Sequence, residues 1–232
     1  MARVVKIGHR GAAGHAPEST LAAVQKAIAL GADYVEIDVR RTADGVLVAL
    51  HDSTISRTTN GRGRVDALPF RELRAFDAGN GEPIPTVEEV LKTAAGRAGL
   101  MLELKISGVA QLTVEAVRKV QFDKPVIYAS FLHRELAAVR AEDPQAVLMV
   151  LFDKLPRVPV PYAMQYGPTY VGLRHDRANR RLIDAFHREQ VLVWVYTPNS
   201  IADIRRALAL GVDGVISDFP ERISQVDADV LT

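Results

Sequence analysis

LMLELKISGVAQLTVEAVRKVQFDKPVIYAS, residues 100–130, sets a buried-type apolar run, a helical stretch and a second β-prone run in close succession. Residues 100–104 predict a strand, 109–121 a helix and 126–130 a strand. The same alternation continues downstream: 133–142 helix, 147–151 strand, 169–173 strand, 179–189 helix, 191–195 strand, 201–210 helix and 214–217 strand. Upstream, 4–8 reads as a strand, 18–30 as a helix stopped by Gly31, and 34–38 as a strand. Thr86 opens TVEEVLKTAAG, and Glu89 three positions on completes a capping box. Eight strands, each followed by a helix or an insertion, are the arithmetic of a (β/α)8 TIM barrel. A doubly wound open sheet ranks second, because no G-x-G-x-x-G loop follows the first strand. The link 153–163, with Pro156, Pro159 and Pro161, is where a regular helix is least expected.

At 232 residues, 48% hydrophobic and 25% charged, the chain can bury one full core, and a single domain over 1–232 is expected. The formal net charge is +1, with basic residues spread along the chain, which gives no reason to expect nucleic acid as a partner. A small molecule fits better. The absence of cysteine removes disulfides and thiolate metal sites, so any metal must sit on oxygen or imidazole. MARVVKIGHRG goes directly into a polar strand end, and no apolar run approaches a membrane span. A soluble, cytoplasmic protein without stable membrane association is therefore expected. Nothing in the sequence signals an oligomeric state.

Residues 34–52, YVEIDVRRTADGVLVALHD, predict a β-hairpin. Val35, Ile37 and Val39 alternate with Glu36, Asp38 and Arg40, and Asp44-Gly45 is a two-residue turn signal. Pairing Ala43 with Val46 would set Asp38 opposite His51. Glu36 shares the face of Asp38, so two acids and an imidazole converge. Carboxylates in so apolar a strand need a cation, a partner or a cavity. After the hairpin, TISRTTNGRGRVDALPFRELRAFDAGNGEPIP (54–85) has little regular pattern and reads as an inserted subdomain.

In a barrel of this kind the chemistry lies at the carboxyl ends of the strands. There the sequence places His9-Arg10, Glu36 and Asp38 with His51, Glu103 and Lys105, Ser130-Phe131, Trp194 and Asp218. Three carboxylates without a thiolate suit one hard divalent cation, Mg²⁺ or Ca²⁺. With Arg10 and Lys105 the local charge comes to about +1, which complements a phosphodiester. Two histidines can exchange protons between nucleophile and leaving group. Phosphodiester cleavage is the expected reaction.

These residues resemble a known family. HRG at 9–11, PE at 17–18, E-x-D at 36–38, DG followed by HD within 44–52, IPTVEEVL at 84–91, E-x-K at 103–105, SF at 130–131 and DG-x-x-x-D-x-P at 213–220 are similar, in order and nearly end to end, to the glycerophosphodiester phosphodiesterases. The resemblance implies a phospholipase-C-like TIM barrel with a small insertion at about 52–83, and hydrolysis of glycerophosphodiesters to glycerol 3-phosphate and an alcohol. It implies Glu36, Asp38 and Glu103 as metal ligands, His9 and His51 as the acid/base pair, and Arg10 and Lys105 as phosphate binders. Glu18 is implied in support, although the usual PENT reads PEST, with Ser19 in place of asparagine. Trp194, in VWVYTPN where the family has a shorter run, is implied as pocket lining or else as core. His15, His133, His175 and His187 are left as structural or solvent-exposed.

Two alternatives stand beside this reading. A lysophospholipase D or sphingomyelinase D on the same barrel would need an apolar platform for an acyl chain, and Ile55, Val65, Leu68, Phe70, Leu73 and Phe76 suit a small local core instead. A nonenzymatic phosphate-ligand binding protein would be expected to have lost a histidine or a metal ligand, and none is lost.

Overall fold

Strands as apolar as residues 100–104 must be covered on both faces, and a closed parallel barrel inside a ring of helices does this. The computed structural model of the chain describes residues 3–230, with side chains through residue 226; residues 1–2 and 231–232 of the expected domain lie outside the described residues. Eight parallel staves form the barrel: β1 (Val5–Gly8), β2 (Tyr34–Arg41), β4 (Gly99–Leu104), β5 (Val126–Ser130), β6 (Val147–Phe152), β7 (Tyr170–Arg174), β8 (Leu192–Tyr196) and β9 (Gly214–Ser217). β1 pairs with both β9 and β2, which closes the ring. β3 (Leu47–Ala49) lies outside it, antiparallel to β2.

Helices α1 (Leu21–Ala29), α3 (Val87–Ala94), α4 (Ala110–Val120), α5 (His133–Glu142), α6 (Pro159–Met164), α7 (Arg180–Arg188), α8 (Ile201–Ala209) and α9 (Glu221–Val230) connect the staves or follow them. Their starts follow local chemistry. Thr20, Asn179 and Ser200 each cap a helix through a side-chain oxygen, and Thr86 and Glu89 form the capping box expected from their spacing. The link 153–163, read as unfavourable to helix, nevertheless contains α6. Pro159 occupies the first helical position and Pro161 the first turn, where the backbone N–H has no helical acceptor to lose.

Period-two alternation divides the core. Val35, Ile37 and Val39 on β2 and Leu100, Leu102 and Leu104 on β4 point outward into the layer shared with the helices. Ile7, Met101, Ile127, Met149 and Trp194 fill the barrel interior. By the same alternation Glu36, Asp38 and Glu103 point inward, above the apolar layers.

The hairpin register differs by one from the expected pairing. Val39 faces Ala49 and Arg40 faces Val48. The Thr42 N–H donates to the Val46 carbonyl at 3.0 Å, so the loop holds Ala43, Asp44 and Gly45 rather than two residues. Gly45, at φ +88°, takes the left-handed position that ends a three-residue hairpin loop. Asp38 therefore pairs with Leu50, whose N–H donates to the Asp38 carbonyl at 3.0 Å, and His51 stands one residue beyond.

Residues 50–86 make an excursion with a short helix, α2 (Phe70–Leu73). Ile55, Val65, Leu73 and Ile84 pack on Val48 and Leu50 in a small core of their own.

Trp194 lies in the barrel interior, not in a pocket. It is fully buried and packs against Tyr34 and Tyr170, with ring centroids 5.4 and 4.7 Å away. Tyr196, two residues further along the inward face, reaches the open end instead. Trp194→Ala should accordingly cost about 3–5 kcal/mol of stability, read as a lower midpoint in denaturant unfolding; an unchanged unfolding free energy would contradict its place in the core.

Candidate active site

Strand pairing brings the acids together before any side chain is considered. Asp38 and Glu103 are direct partners across β2 and β4, and Glu36 lies two residues earlier on the same face. All three are buried, and one oxygen from each lies within 4.8 Å of the others. Burial, followed by the charges of Asp38 and Glu103, pushes the Glu36 carboxyl well above the ordinary carboxylate range. Burial and then the charge of Asp38 push Glu103 up to about 7.

Cations and dipoles offset part of this. The Lys105 ammonium lies 2.6 Å from Glu103 Oε1 and 3.4 Å from Asp38 Oδ1. Burial works against the Lys105 charge, but the Glu103 and Asp38 carboxylates outweigh it and raise its pKa. The backbone N–H of Arg10 donates to Glu36 Oε2 at 2.8 Å, and Arg10 Nε stands 3.4 Å from Asp38 Oδ2. This approach depends on Gly11, whose φ is +85° and where a Cβ would come within 2.5 Å of the backbone of Ala23.

Glu36 Oε1 and Asp38 Oδ2 are buried without a hydrogen-bond partner. Buried carboxylate oxygens of this kind are costly to leave unpaired. Three hard oxygen donors with two such atoms fit a Mg²⁺- or Ca²⁺-like ion.

Two histidines face the same cleft, each held by a carboxylate. His9 Nδ1 donates to Asp218 Oδ1 at 2.7 Å, and His51 Nδ1 donates to Asp52 Oδ1 at 2.7 Å. With Nδ1 bonded in this way, Nε2 is the ring nitrogen that could exchange a proton. Asp218 also accepts from Asn199 Nδ2 at 2.5 Å, and its N–H donates to Asn199 Oδ1 at 2.9 Å. Burial opposes the Asp218 charge, but the bond and charge of His9 keep its carboxyl below the ordinary range. The Arg57 guanidinium, with His51 adding, holds Asp52 down to about 2. Burial lowers the pKa of His51 itself.

His9, Arg10, Glu36, His51, Glu103 and Lys105 line one cleft, and Asp38 lies beneath it. Met101, Phe131, Leu151, Tyr196 and Ile216 form its apolar wall. Glu18 accepts from Arg10 at 2.8 Å. Trp194 does not line the cleft; it packs in the barrel interior. Of the remaining histidines, His15 bonds Glu221, His133 bonds Tyr162 and the Leu151 carbonyl, and His187 bonds Asp213.

Sequence reading missed the pairing roles of Asp52, Asp218, Asn199 and Arg57. The adjacency in His51-Asp52 and the strand-end place of Asp218 were usable signals. Arg57 carried none, since Asp52 lies five residues away across an irregular stretch and Glu18 lies 39 residues away.

Residues 9–222 match the model of the glycerophosphoryl diester phosphodiesterase family. The chain is 32% identical to a glycerophosphodiester phosphodiesterase of Bacillus altitudinis, covering 94% of this chain and 96% of that one. It is 31% identical to the enzyme of that name from Caldanaerobacter subterraneus, over 95% and 96% of the two chains. The solved structure of an Oleispira antarctica phosphodiesterase in complex with the product sn-glycerol-3-phosphate superposes with a TM-score of 0.90 at 29% identity, covering 96% of each chain. The chain belongs to the glycerophosphoryl diester phosphodiesterase family and is a phosphoric diester hydrolase.

The raised Glu103 carboxyl makes a test of the carboxylate cluster. A carboxyl at about 7 in the fold against 4.5 ordinarily contributes stability that is fully present below the unfolded value and is lost as pH rises through the folded one. Metal-free Glu103→Gln should therefore gain thermal midpoint over the metal-free parent as pH rises from about 4.5 to about 7. His51, lowered in the fold, has the opposite sign, and it cancels in the comparison. Adding a divalent cation should stabilise the parent selectively; a gap that does not change with pH would contradict the assignment.

Proposed function

We propose, from the premise that the chain belongs to the glycerophosphoryl diester phosphodiesterase family, that it hydrolyses glycerophosphodiesters to glycerol 3-phosphate and an alcohol with the help of one divalent cation. The observation that carries this reading is the convergence of two histidine–carboxylate pairs, Arg10 and Lys105 on a buried cluster of Glu36, Asp38 and Glu103. The Oleispira relative, bound to sn-glycerol-3-phosphate, supports the choice of glycerol as the retained group.

Glu36, Asp38 and Glu103 would hold the cation, Mg²⁺ or Ca²⁺. When bound, it supplies Lewis-acid polarisation of a phosphoryl oxygen. Arg10 and Lys105 bind the phosphate oxygens and offset the charge that builds on phosphorus. Glu18 keeps the Arg10 guanidinium in place.

The glycerol 2-hydroxyl stands beside the phosphorylated carbon and is a built-in nucleophile. His9 Nε2 takes its proton, the hydroxyl oxygen attacks phosphorus, and His51 Nε2 delivers a proton to the departing alcohol oxygen. Water then opens the cyclic glycerol phosphate, with His51 accepting the water proton and His9 returning one to the 2-oxygen. Asp218 and Asp52 fix the ring tautomers this exchange needs. The apolar side chains of the excursion are turned into its own core, so that segment offers no acyl platform, which favours small diesters over lysolipids.

Two sets of measurements test the reading. Ala at Glu36, Asp38 or Glu103 should abolish cation-dependent turnover of glycerophosphocholine while the circular dichroism spectrum stays native; a Glu103→Ala enzyme fully active in chelator refutes the cation site. A substrate lacking the 2-hydroxyl should be cleaved very poorly. His51→Ala should lose about 10²–10⁴-fold on glycerophosphocholine and far less on a p-nitrophenyl diester, whose leaving group needs no proton. Rescue of His9→Ala instead would exchange the two roles.

A further inference from the structure

The two catalytic-side dyads end differently. Asp218, behind His9, is held by Asn199, a neutral residue from the loop after β8. Asp52, behind His51, is held by a charged residue from the excursion: Arg57 Nε donates to Asp52 Oδ2 at 2.6 Å. The same guanidinium donates through its two terminal nitrogens to both oxygens of Glu18, at 2.8 and 2.7 Å. Glu18 Oε1 in turn accepts from Arg10. One unbroken chain of alternating charge thus runs Arg10, Glu18, Arg57, Asp52, His51.

Its two ends are not equally secure. Arg10 is mostly buried and has Glu36 and Asp38 as further partners, so it does not need Arg57. His51 stands beyond the end of β3, with a third of its side chain exposed, and its ring is fixed by Asp52. Asp52 is itself more than a quarter exposed and rests on Arg57. We propose that Arg57 is a positioning residue for His51, anchored on Glu18, and that the excursion is thereby a working part of the active site. The inference rests on the reading of His51 as an acid/base group.

The geometry calls for arginine. A planar fork can present Nε to one carboxylate and both terminal nitrogens to another, while a lysine ammonium is a single point on a flexible stem. A displacement of about 1 Å in a catalytic group can cost on the order of 10²-fold in rate. For a metal-ligating histidine, losing the partner that orients the ring typically costs about 10–100-fold, and a loss of the same order is expected for an orienting partner of His51.

The test compares Arg57→Ala, Arg57→Lys, His51→Ala and His9→Ala on glycerophosphocholine and on a p-nitrophenyl diester. Arg57→Ala should lose about 10–100-fold in kcat on glycerophosphocholine, with KM and thermal midpoint little changed. Across the two leaving groups its losses should follow the pattern of His51→Ala and not that of His9→Ala, whichever histidine proves to be the donor. Arg57→Lys should recover only part of the loss. Guanidinium ion at a non-denaturing concentration should restore turnover to Arg57→Ala, because Arg57 is half-exposed, and should not restore it to His51→Ala. A pattern across the two substrates that matches His9→Ala and not His51→Ala, or a fall in thermal midpoint without guanidinium rescue, would each reduce Arg57 to a structural staple. A His51→Ala enzyme with normal turnover would instead overturn the reading of His51 itself.

Discussion

Three like charges in the dry end of a barrel are the constraint on which the rest of the site depends. Strand alternation sends Glu36, Asp38 and Glu103 inward in the same sense as Met101 and Ile7, and the pairing of β2 with β4 sets Asp38 beside Glu103. Burying carboxylates costs several kcal/mol each unless charge or hydrogen bonds compensate. Lys105, the Arg10 guanidinium and the Arg10 backbone N–H supply part of that compensation. They leave Glu36 Oε1 and Asp38 Oδ2 without a hydrogen-bond partner, so the arrangement can still accept a cation.

Compensation continues outward in layers of falling burial. Side-chain exposure is 1% at Asp38, 16% at Arg10, 20% at Glu18 and 48% at Arg57. The inner charges therefore interact strongly, and the outer ones are screened and mainly set orientation. This gradient places the raised carboxyls of Glu36 and Glu103 at the bottom of the cleft, while both histidines, partly exposed, face its opening.

The parts legible in sequence were those governed by local period. Val35, Ile37 and Val39 mark the outward face of β2, and that alone places Glu36 and Asp38 on the inward one. Eight such strands with helices between them leave little besides a barrel. The hairpin register was not legible, because Asp44-Gly45 serves a two-residue and a three-residue loop equally well, with glycine left-handed in both. Helix α6 escaped because prolines forbid a helix interior but not its first turn. Trp194 and Tyr196 share one face of β8, and what separates core from cleft is depth along the stave, which no periodicity encodes. Arg57 joins Glu18 and Asp52 across 39 and five residues of sequence, and only the fold brings them together.

The floor beneath the carboxylates completes the logic of the site. Trp194 packs against Tyr34 and Tyr170, and with Ile7, Met101 and Met149 they fill the barrel interior. This apolar floor makes the cleft one-sided, open at the end that carries His9 and His51. With no polar medium below, the field of the buried acids and of Arg10 and Lys105 is directed toward that opening. In the proposed reaction, a phosphate held between the two cations presents its organic arms toward the rim, where the histidines stand on separate elements, His9 after β1 and His51 after β3. The apolar core thus bears on the proposed chemistry as well as on stability, because it closes one side of the site and leaves the phosphorus centre to be approached from the other.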